Sequence, residues 1–272
     1  MKQAEAYEAF KSLHEAEGAF VMANAWDAAS AVVLRDSGFK ALGSSSAAIA
    51  YAIAKPDGAH AVSREEAIEN AALLGRASNL PINGDLEDGF GPSPEECVAT
   101  VEASIAAGLA GLGIEDTTAD PGSPIHDYDT AVRRIEAAAK AASGRILLTG
   151  RTDLLLHGST ELDEVIRRLV AFADAGADVL YAPALPDMDA IRKAVAAVAP
   201  KPVNVLIGPK SGLVPLEELS SSGVSRVSIG GGFYGSAMGH LGRAGEQVLA
   251  GDLGAAVEGR TQINFNKTFG GS

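Results

Sequence analysis

Pro81-Ile82-Asn83-Gly84-Asp85 runs directly into Leu86-Glu87-Asp88-Gly89-Phe90-Gly91. Ser93-Pro94 then opens a stretch that leads to a second short run, Gly111-Leu112-Gly113-Ile114-Glu115. Val98, Val101 and Ile105 fall on one stripe at helical spacing, whereas the two flanking runs have the length of buried strands. Ser93, with proline next to it and Glu96 three positions on, is a capping box for the intervening helix. The segment reads as strand, loop, helix, strand. Outward from it the same unit recurs, with apolar runs at Phe20–Ala23, Ala41–Gly43, Ile146–Gly150, Val179–Ala182, Val203–Leu206 and Val227–Ile229. Ser63 with Glu66 marks another helix start in the same way. Eight strand–helix units in about 250 residues is the arithmetic of an α/β (β/α)8 TIM-type barrel. A doubly wound sheet would carry a glycine fingerprint after its first strand, and Asn24-Ala25-Trp26-Asp27 has none. No composition break or low-complexity tract interrupts residues 1–272, so a single α/β-barrel domain is expected.

Composition narrows the function. The chain has 272 residues, 47% of them apolar, and at this size roughly 75% of the unfolded surface becomes buried without metal or disulfide staples. Lys+Arg 22 against Asp+Glu 35 gives a formal charge of −13, which repels phosphate backbones and anionic bilayers. Neither nucleic acid nor membrane is expected as a partner. The lone Cys97 excludes an intrachain disulfide or a thiolate zinc site and reads as helix packing. No signal-like apolar core follows the N-terminus, and the longest apolar run, Ala47–Ala54, is too short to span a bilayer. A cytoplasmic protein is expected.

In a barrel the reactive side chains come from strand C-terminal ends and the loops beyond them. Side chains alternate faces along a strand, so Asp85 and Glu87 share the inward face with Asn83 below, while Ile82 and Leu86 face the helices. The same parity turns Glu115 inward from the next strand, and Arg151 inward with Thr149 and Asp153 from Thr149-Gly150-Arg151-Thr152-Asp153. Carboxylates converging on one mouth repel unless a cation lies between them, and oxygen donors without paired His or Cys suit Mg2+ or Mn2+. The alternative is that these acids are solvated or cap the following helix. Arg151 offers a planar fork for a substrate carboxylate, or else an internal ion pair with Glu87 or Glu115. Ser44-Ser45-Ser46 and Gly230-Gly231-Gly232 are weaker anion-binding signals at other strand ends. Among His14, His60, His126, His157 and His240, only His60 and His126 fall in loops expected above the mouth.

Taken in order, these motifs resemble the isocitrate lyase/phosphoenolpyruvate mutase superfamily, in particular its divergent phosphoenolpyruvate-mutase-like members. The resemblance is carried by Asn24-Ala25-Trp26-Asp27, Ser44-Ser45-Ser46, Pro56-Asp57-Gly58, Asp85 through Gly91, Ile114-Glu115-Asp116, Gly150-Arg151-Thr152-Asp153 and Gly223-Val224-Ser225-Arg226-Val227-Ser228. It implies a barrel whose last helix, here within about 233–272, is exchanged between subunits of a homodimer or homotetramer. It also implies Mg2+, with Mn2+ as a substitute, and a small anionic carboxylate substrate cleaved or rearranged at a C–C or P–C bond beside a carbonyl. Carried over by position, Asp85 is the direct metal ligand, and Asp57, Glu87 and Glu115 are water-mediated ligands. Arg151 is the carboxylate clamp. Ser44, Ser45, Ser46, Asp57 and Asn204 complete the substrate set, and Glu115 and His126 join Arg151 as catalytic candidates. A Mg2+ aldolase or hydrolase of related chemistry and a non-catalytic oxo-acid-binding barrel are the competing expectations.

The chain departs from that family in the loop from Asp116 to Tyr128. Family lyases carry a Lys-Lys/Arg-Cys-Gly-His motif there, and the cysteine works as acid/base. Here the stretch Asp116-Thr117-Thr118-Ala119-Asp120-Pro121-Gly122-Ser123-Pro124-Ile125-His126 has neither lysine nor cysteine. After the sixth strand, where lyases have Glu and the mutase has His, Pro183 stands. Its prolines, glycine and short polar residues give the loop a lid's composition, and His126 is its one imidazole. We expect negligible cleavage of isocitrate and 2-methylisocitrate in a coupled assay; efficient turnover of either would contradict the reading of this loop.

Overall fold

The computed structural model describes residues 1–208, 214–258 and 263–270. Eight strands, β1 (Phe20–Asn24), β2 (Leu42–Gly43), β3 (Ile82–Asp85), β4 (Gly111–Glu115), β5 (Leu147–Arg151), β6 (Val179–Tyr181), β7 (Val203–Leu206) and β8 (Arg226–Ser228), close into a barrel in sequence order. Every neighbouring pair is parallel, β8 with β1 included. The barrel expected from the recurring runs is thus the observed fold, with strand ends shifted by a residue or two.

The helices are α1 (Gln3–Glu15), α2 (Ala28–Asp36), α3 (Ser46–Ala52), α4 (Arg64–Ser78), α5 (Pro94–Ala106), α6 (Tyr128–Ala142), α7 (Leu162–Asp174), α8 (Met188–Val198), α9 (Leu216–Ser221), α10 (Gly232–Leu249) and α11 (Phe265–Phe269). Ser63 and Ser93 accept from the amides of Glu66 and Glu96, whose carboxylates reach back, so both expected capping boxes are formed. Outward-facing Ile82, Leu112, Ile114, Leu148, Leu180 and Val205 are buried against Leu74, Val101, Ile135, Leu169, Phe172 and Ile191 of the helical ring. This annular layer is the main core.

The interior of the barrel is closed from below. Helix α1 lays Phe10 across the strand N-termini, where it packs with Ala6, Met22, Ala41, Ala110 and Leu147. Above it lies a buried polar layer. Arg226 donates from Nε to Asn204 Oδ1 (2.9 Å) and from Nη2 to Thr149 Oγ1 (3.0 Å), and Asn204 Nδ2 donates to Ser228 Oγ (2.9 Å). His14 faces Arg226 from α1, and burial together with that cation pushes its imidazole down to about 3. No helix among the described residues is long and apolar enough to cross a membrane.

Glycine is sterically required where Phe10 meets the barrel. A Cβ at Gly111 would stand 2.7 Å from the Phe10 ring and 2.8 Å from Asn83 Oδ1, whereas one at Gly113, two residues along, would come no nearer than 3.9 Å to any atom. Gly111→Ala should therefore lower the free energy of unfolding by about 1–3 kcal/mol, with Gly113→Ala much milder. Urea unfolding of both variants checks this, and equal midpoints would contradict the plug.

Candidate active site

Three adjacent strands, β3, β4 and β5, set the polar side chains of the mouth side by side. Their register pairs Asp85 with Gly113 and Glu115 with Arg151. The Arg151 guanidinium lies between the two acids. Its Nη1 stands 3.3 Å from Asp85 Oδ1 and 2.9 Å from Glu115 Oε2. Nε and Nη2 donate to the two oxygens of Asp153 at 2.6 and 2.7 Å, a bidentate fork. The internal ion pair weighed as an alternative for Arg151 is thus formed with Glu115, and Asp85 shares it. Tyr181, in register with Arg151 on β6, lies under the guanidinium, 5.2 Å from carbon to ring centre.

Asp85 is further held by the loop after β2. Ser46 donates its amide to Asp85 Oδ2 (2.9 Å), and Ser44 Oγ accepts from the Asp85 amide (2.8 Å). Ser45 caps α3. These serines support Asp85 and the helix start, and the Ser46 side chain also hydrogen-bonds Asp57. Glu87 lies beyond the end of β3 in a turn with φ +46°, so simple strand alternation does not govern it. His60 donates its amide to Glu87 Oε2 (3.2 Å), and the His60 ring pairs with Asp88 at 2.6 Å.

Burial dominates the electrostatics. It pushes the Glu87 carboxyl up to about 7, against the His60 amide and with Asp57 and Asp85 adding to it. Burial also raises Asp57, and Asp85 raises it further. Glu115 is pushed well above the usual carboxylate range by burial. Arg151 opposes that shift, while Asp153 and Asp85 reinforce it. Burial pulls on Arg151 in the other direction, but Asp153, Glu115 and Asp85 outweigh it and keep the guanidinium charged. The mouth therefore carries more carboxylate than its guanidinium can neutralise.

Two candidates stand elsewhere. Asn204 is 1% exposed and its carboxamide is engaged by Arg226 and Ser228 in the layer below. His126 sits where the lid returns, with Arg134, Asp88, Asp127 and Arg168 as its charged neighbours and its Nε2 buried without a partner. Burial, then Arg134, lowers its pKa. Among the described residues no three His, Cys, Asp or Glu side chains stand close enough to ligate one ion directly. The oxygen donors gathered at the mouth, Asp57, Asp85, Glu87 and Glu115, suit a hard ion that keeps much of its water, as Mg2+ does.

Sequence reasoning missed Tyr181, Asp116 and Arg168. Tyr181 read only as part of an apolar run, and the two buried charges were not seen as partners across 52 positions.

A closed parallel barrel with acids and an arginine gathered at its C-terminal mouth is the architecture of a (β/α)8-barrel enzyme. The phosphoenolpyruvate phosphomutase family profile matches residues 10–249, and the chain belongs to that family, within the isocitrate lyase/phosphoenolpyruvate mutase superfamily. A lyase/mutase-like protein of Burkholderia cenocepacia J2315, known from its crystal structure, is 40% identical with a TM-score of 0.90, covering 94% of this chain and 92% of that one. The Corynebacterium glutamicum protein named "Probable 2-methylisocitrate lyase 2" is 30% identical over 214 residues, 76% of this chain and 68% of its own length. Oxaloacetate acetylhydrolase, solved with the inhibitor 3,3-difluorooxalacetate, is 25% identical with a TM-score of 0.83, covering 93% and 89%. The chain is an enzyme of this superfamily.

Removing Arg151 would leave Asp85, Glu115 and Asp153 facing one another. In metal-free buffer Arg151→Met should cost about 3–5 kcal/mol of stability. Arg151→Lys should recover only part, since an ammonium cannot match the Asp153 fork. Urea unfolding measures both, and an Arg151→Met midpoint equal to wild type would contradict the network.

Proposed function

We propose that this chain is a Mg2+-dependent enzyme that cleaves or rearranges a C–C or P–C bond of a small 2-oxo or 2-hydroxy carboxylate through an enolate-like intermediate. The carrying observation is the imbalance at the mouth, where Asp85, Glu115 and Asp153 share the one guanidinium of Arg151, and Asp57 and Glu87 lie within the field of Asp85. A divalent cation relieves that repulsion. The names of the relatives, a 2-methylisocitrate lyase and an oxaloacetate acetylhydrolase, agree with carboxylate substrates of this kind.

In this reading Asp85 holds the metal directly, with Asp57, Glu87 and Glu115 reaching it through water; Mn2+ would serve in its place. When bound, the ion supplies Lewis-acid polarisation of the carbonyl and stabilises negative charge on its oxygen. The chain does the rest. Arg151 exchanges the acids at Nη1 for the substrate carboxylate, while Asp153 keeps Nε and Nη2 in its fork. Ser44, Ser45 and Ser46, with their amides, shape the wall beside Asp85, and Asn204 supports the floor through Ser228. Glu115, paired with Arg151 and raised above the ordinary carboxylate range by burial, is the carboxyl beside the clamp able to take up a proton. His126 is the lid group able to accept a proton once its buried Nε2 is turned toward substrate.

The assembly belongs to the same proposal. Helix α10 has only Ala244 buried, and Met238, Leu241, Leu249 and Leu253 around it are exposed. An exchanged segment within about 233–272, in a cytoplasmic homodimer or homotetramer, would cover them. Of that segment, residues 259–262 and 271–272 lie outside the described residues.

Asp85→Asn keeps the size of the side chain while removing its charge. We expect a folded protein with Mg2+ affinity reduced by tenfold or more and no Mg2+-dependent turnover across a panel of 2-oxo acids, since the clustered acids lose their direct ligand. Calorimetric titration with Mg2+ checks it, and unchanged affinity would remove Asp85 from the metal site.

A further inference from the structure

Behind the clamp lies a second ion pair that the proposed chemistry does not use. Asp116, immediately after β4, is wholly buried, and Arg168 of α7 is nearly so; their Oδ2 and Nη1 atoms are 2.9 Å apart. The Asp116 carboxylate also accepts from Thr152 Oγ1 (2.7 Å) and from the Asp153 amide (2.9 Å). Its own amide donates to the Arg151 carbonyl (3.2 Å). One aspartate thereby grips all three residues that carry the clamp, Arg151 through Asp153. The same pair holds the lid. His126 donates its amide to the Asp116 carbonyl (2.8 Å), and Arg168 Nη1 donates to the His126 carbonyl (3.0 Å). Thr117 and Ile125 bridge the two lid strands just above. Both roots of the lid and the root of Arg151 meet at one buried ion pair.

We propose that Asp116 and Arg168 are positioning residues that aim Arg151 at the substrate carboxylate and tie the lid to that aim. A buried pair is a poor source of net stability, because desolvation offsets most of its attraction, but it defines geometry wherever one partner makes several further bonds. Asp116 does so with the backbone and side chains on either side of Asp153, whose bidentate fork sets the plane of the Arg151 guanidinium. A shift at Asp116 therefore rotates the clamp, and binding depends on such angles.

The inference rests on the reading of Arg151 as the carboxylate clamp, and the test separates the two. Oxalate is titrated calorimetrically, at saturating Mg2+, into wild type, Thr152→Val, Asp116→Asn, Arg168→Met, Arg168→Lys, Arg151→Lys and the double variant Arg151→Lys/Arg168→Met. We expect Asp116→Asn and Arg168→Met to weaken oxalate roughly tenfold, the scale of one lost charge-assisted hydrogen bond, with Arg168→Lys recovering part of it. In the Arg151→Lys background Arg168→Met should add little, because its effect runs through the clamp. Should Asp116→Asn fail to fold, Thr152→Val, which keeps the ion pair, should still weaken oxalate measurably. Wild-type affinity in folded Arg168→Met and Thr152→Val, or full additivity in the double variant, overturns the positioning role. Wild-type affinity in Arg151→Lys overturns the clamp itself and the inference with it.

Discussion

Arg151 faces three carboxylates with one guanidinium, and the rest of the mouth is arranged around that inequality. Asp153 takes Nε and Nη2, leaving Nη1 between Asp85 and Glu115. This sharing follows from the fixed parallel register of β3, β4 and β5, which sets Asp85, Glu115 and Arg151 side by side. A cation and an anionic ligand arriving together would each find a partner already present: the acids for the metal, the Nη1 edge of Arg151 for the carboxylate.

The scaffold holds this arrangement from outside and below. Leu112 and Ile114, alternating with Gly113 and Glu115, anchor β4 in the helical ring. Arg134 of α6, 1% exposed, donates to the carbonyls of Asp88 and Gly91 and so fastens the turn that carries Glu87. Arg168 of α7 fastens Asp116 and the returning end of the lid at His126. The loops after β3 and β4 are thus each pinned by a buried arginine from a neighbouring helix that reaches backbone carbonyls. Below, Arg226 sits in the barrel bonded to the neutral groups of Asn204 and Thr149, and its own burial pulls its pKa down to about 10.

The barrel was legible because strands buried on both faces are continuous apolar runs, and here glycines and capping boxes punctuate them. Strand parity then aimed Asp85, Glu115 and Arg151 correctly, since alternation holds as far as the strand extends. It did not govern Glu87, where the chain turns at positive φ after Asp85. Asn204 illustrates a second limit: carried over by resemblance as a substrate contact, it lies at the depth of the layer with Arg226 and Ser228, which position in the sequence does not give. His126 illustrates a third, because a lid's composition says nothing of which way its last residue turns. The Asp116–Arg168 pair was illegible for a plain reason. Its partners lie on different secondary-structure elements, and no local spacing marks two charges that meet only when the barrel closes.

The central claim is that the mouth binds a carboxylate and a divalent cation as a pair, each correcting the charge that the other leaves. Calorimetric titration of oxalate into the wild-type protein, once with Mg2+ and once with EDTA, tests this most directly. The account predicts binding with Mg2+ and at least a hundredfold weaker binding without it, since oxalate alone would add negative charge beside acids already in excess. Equal affinity in the two titrations would contradict it.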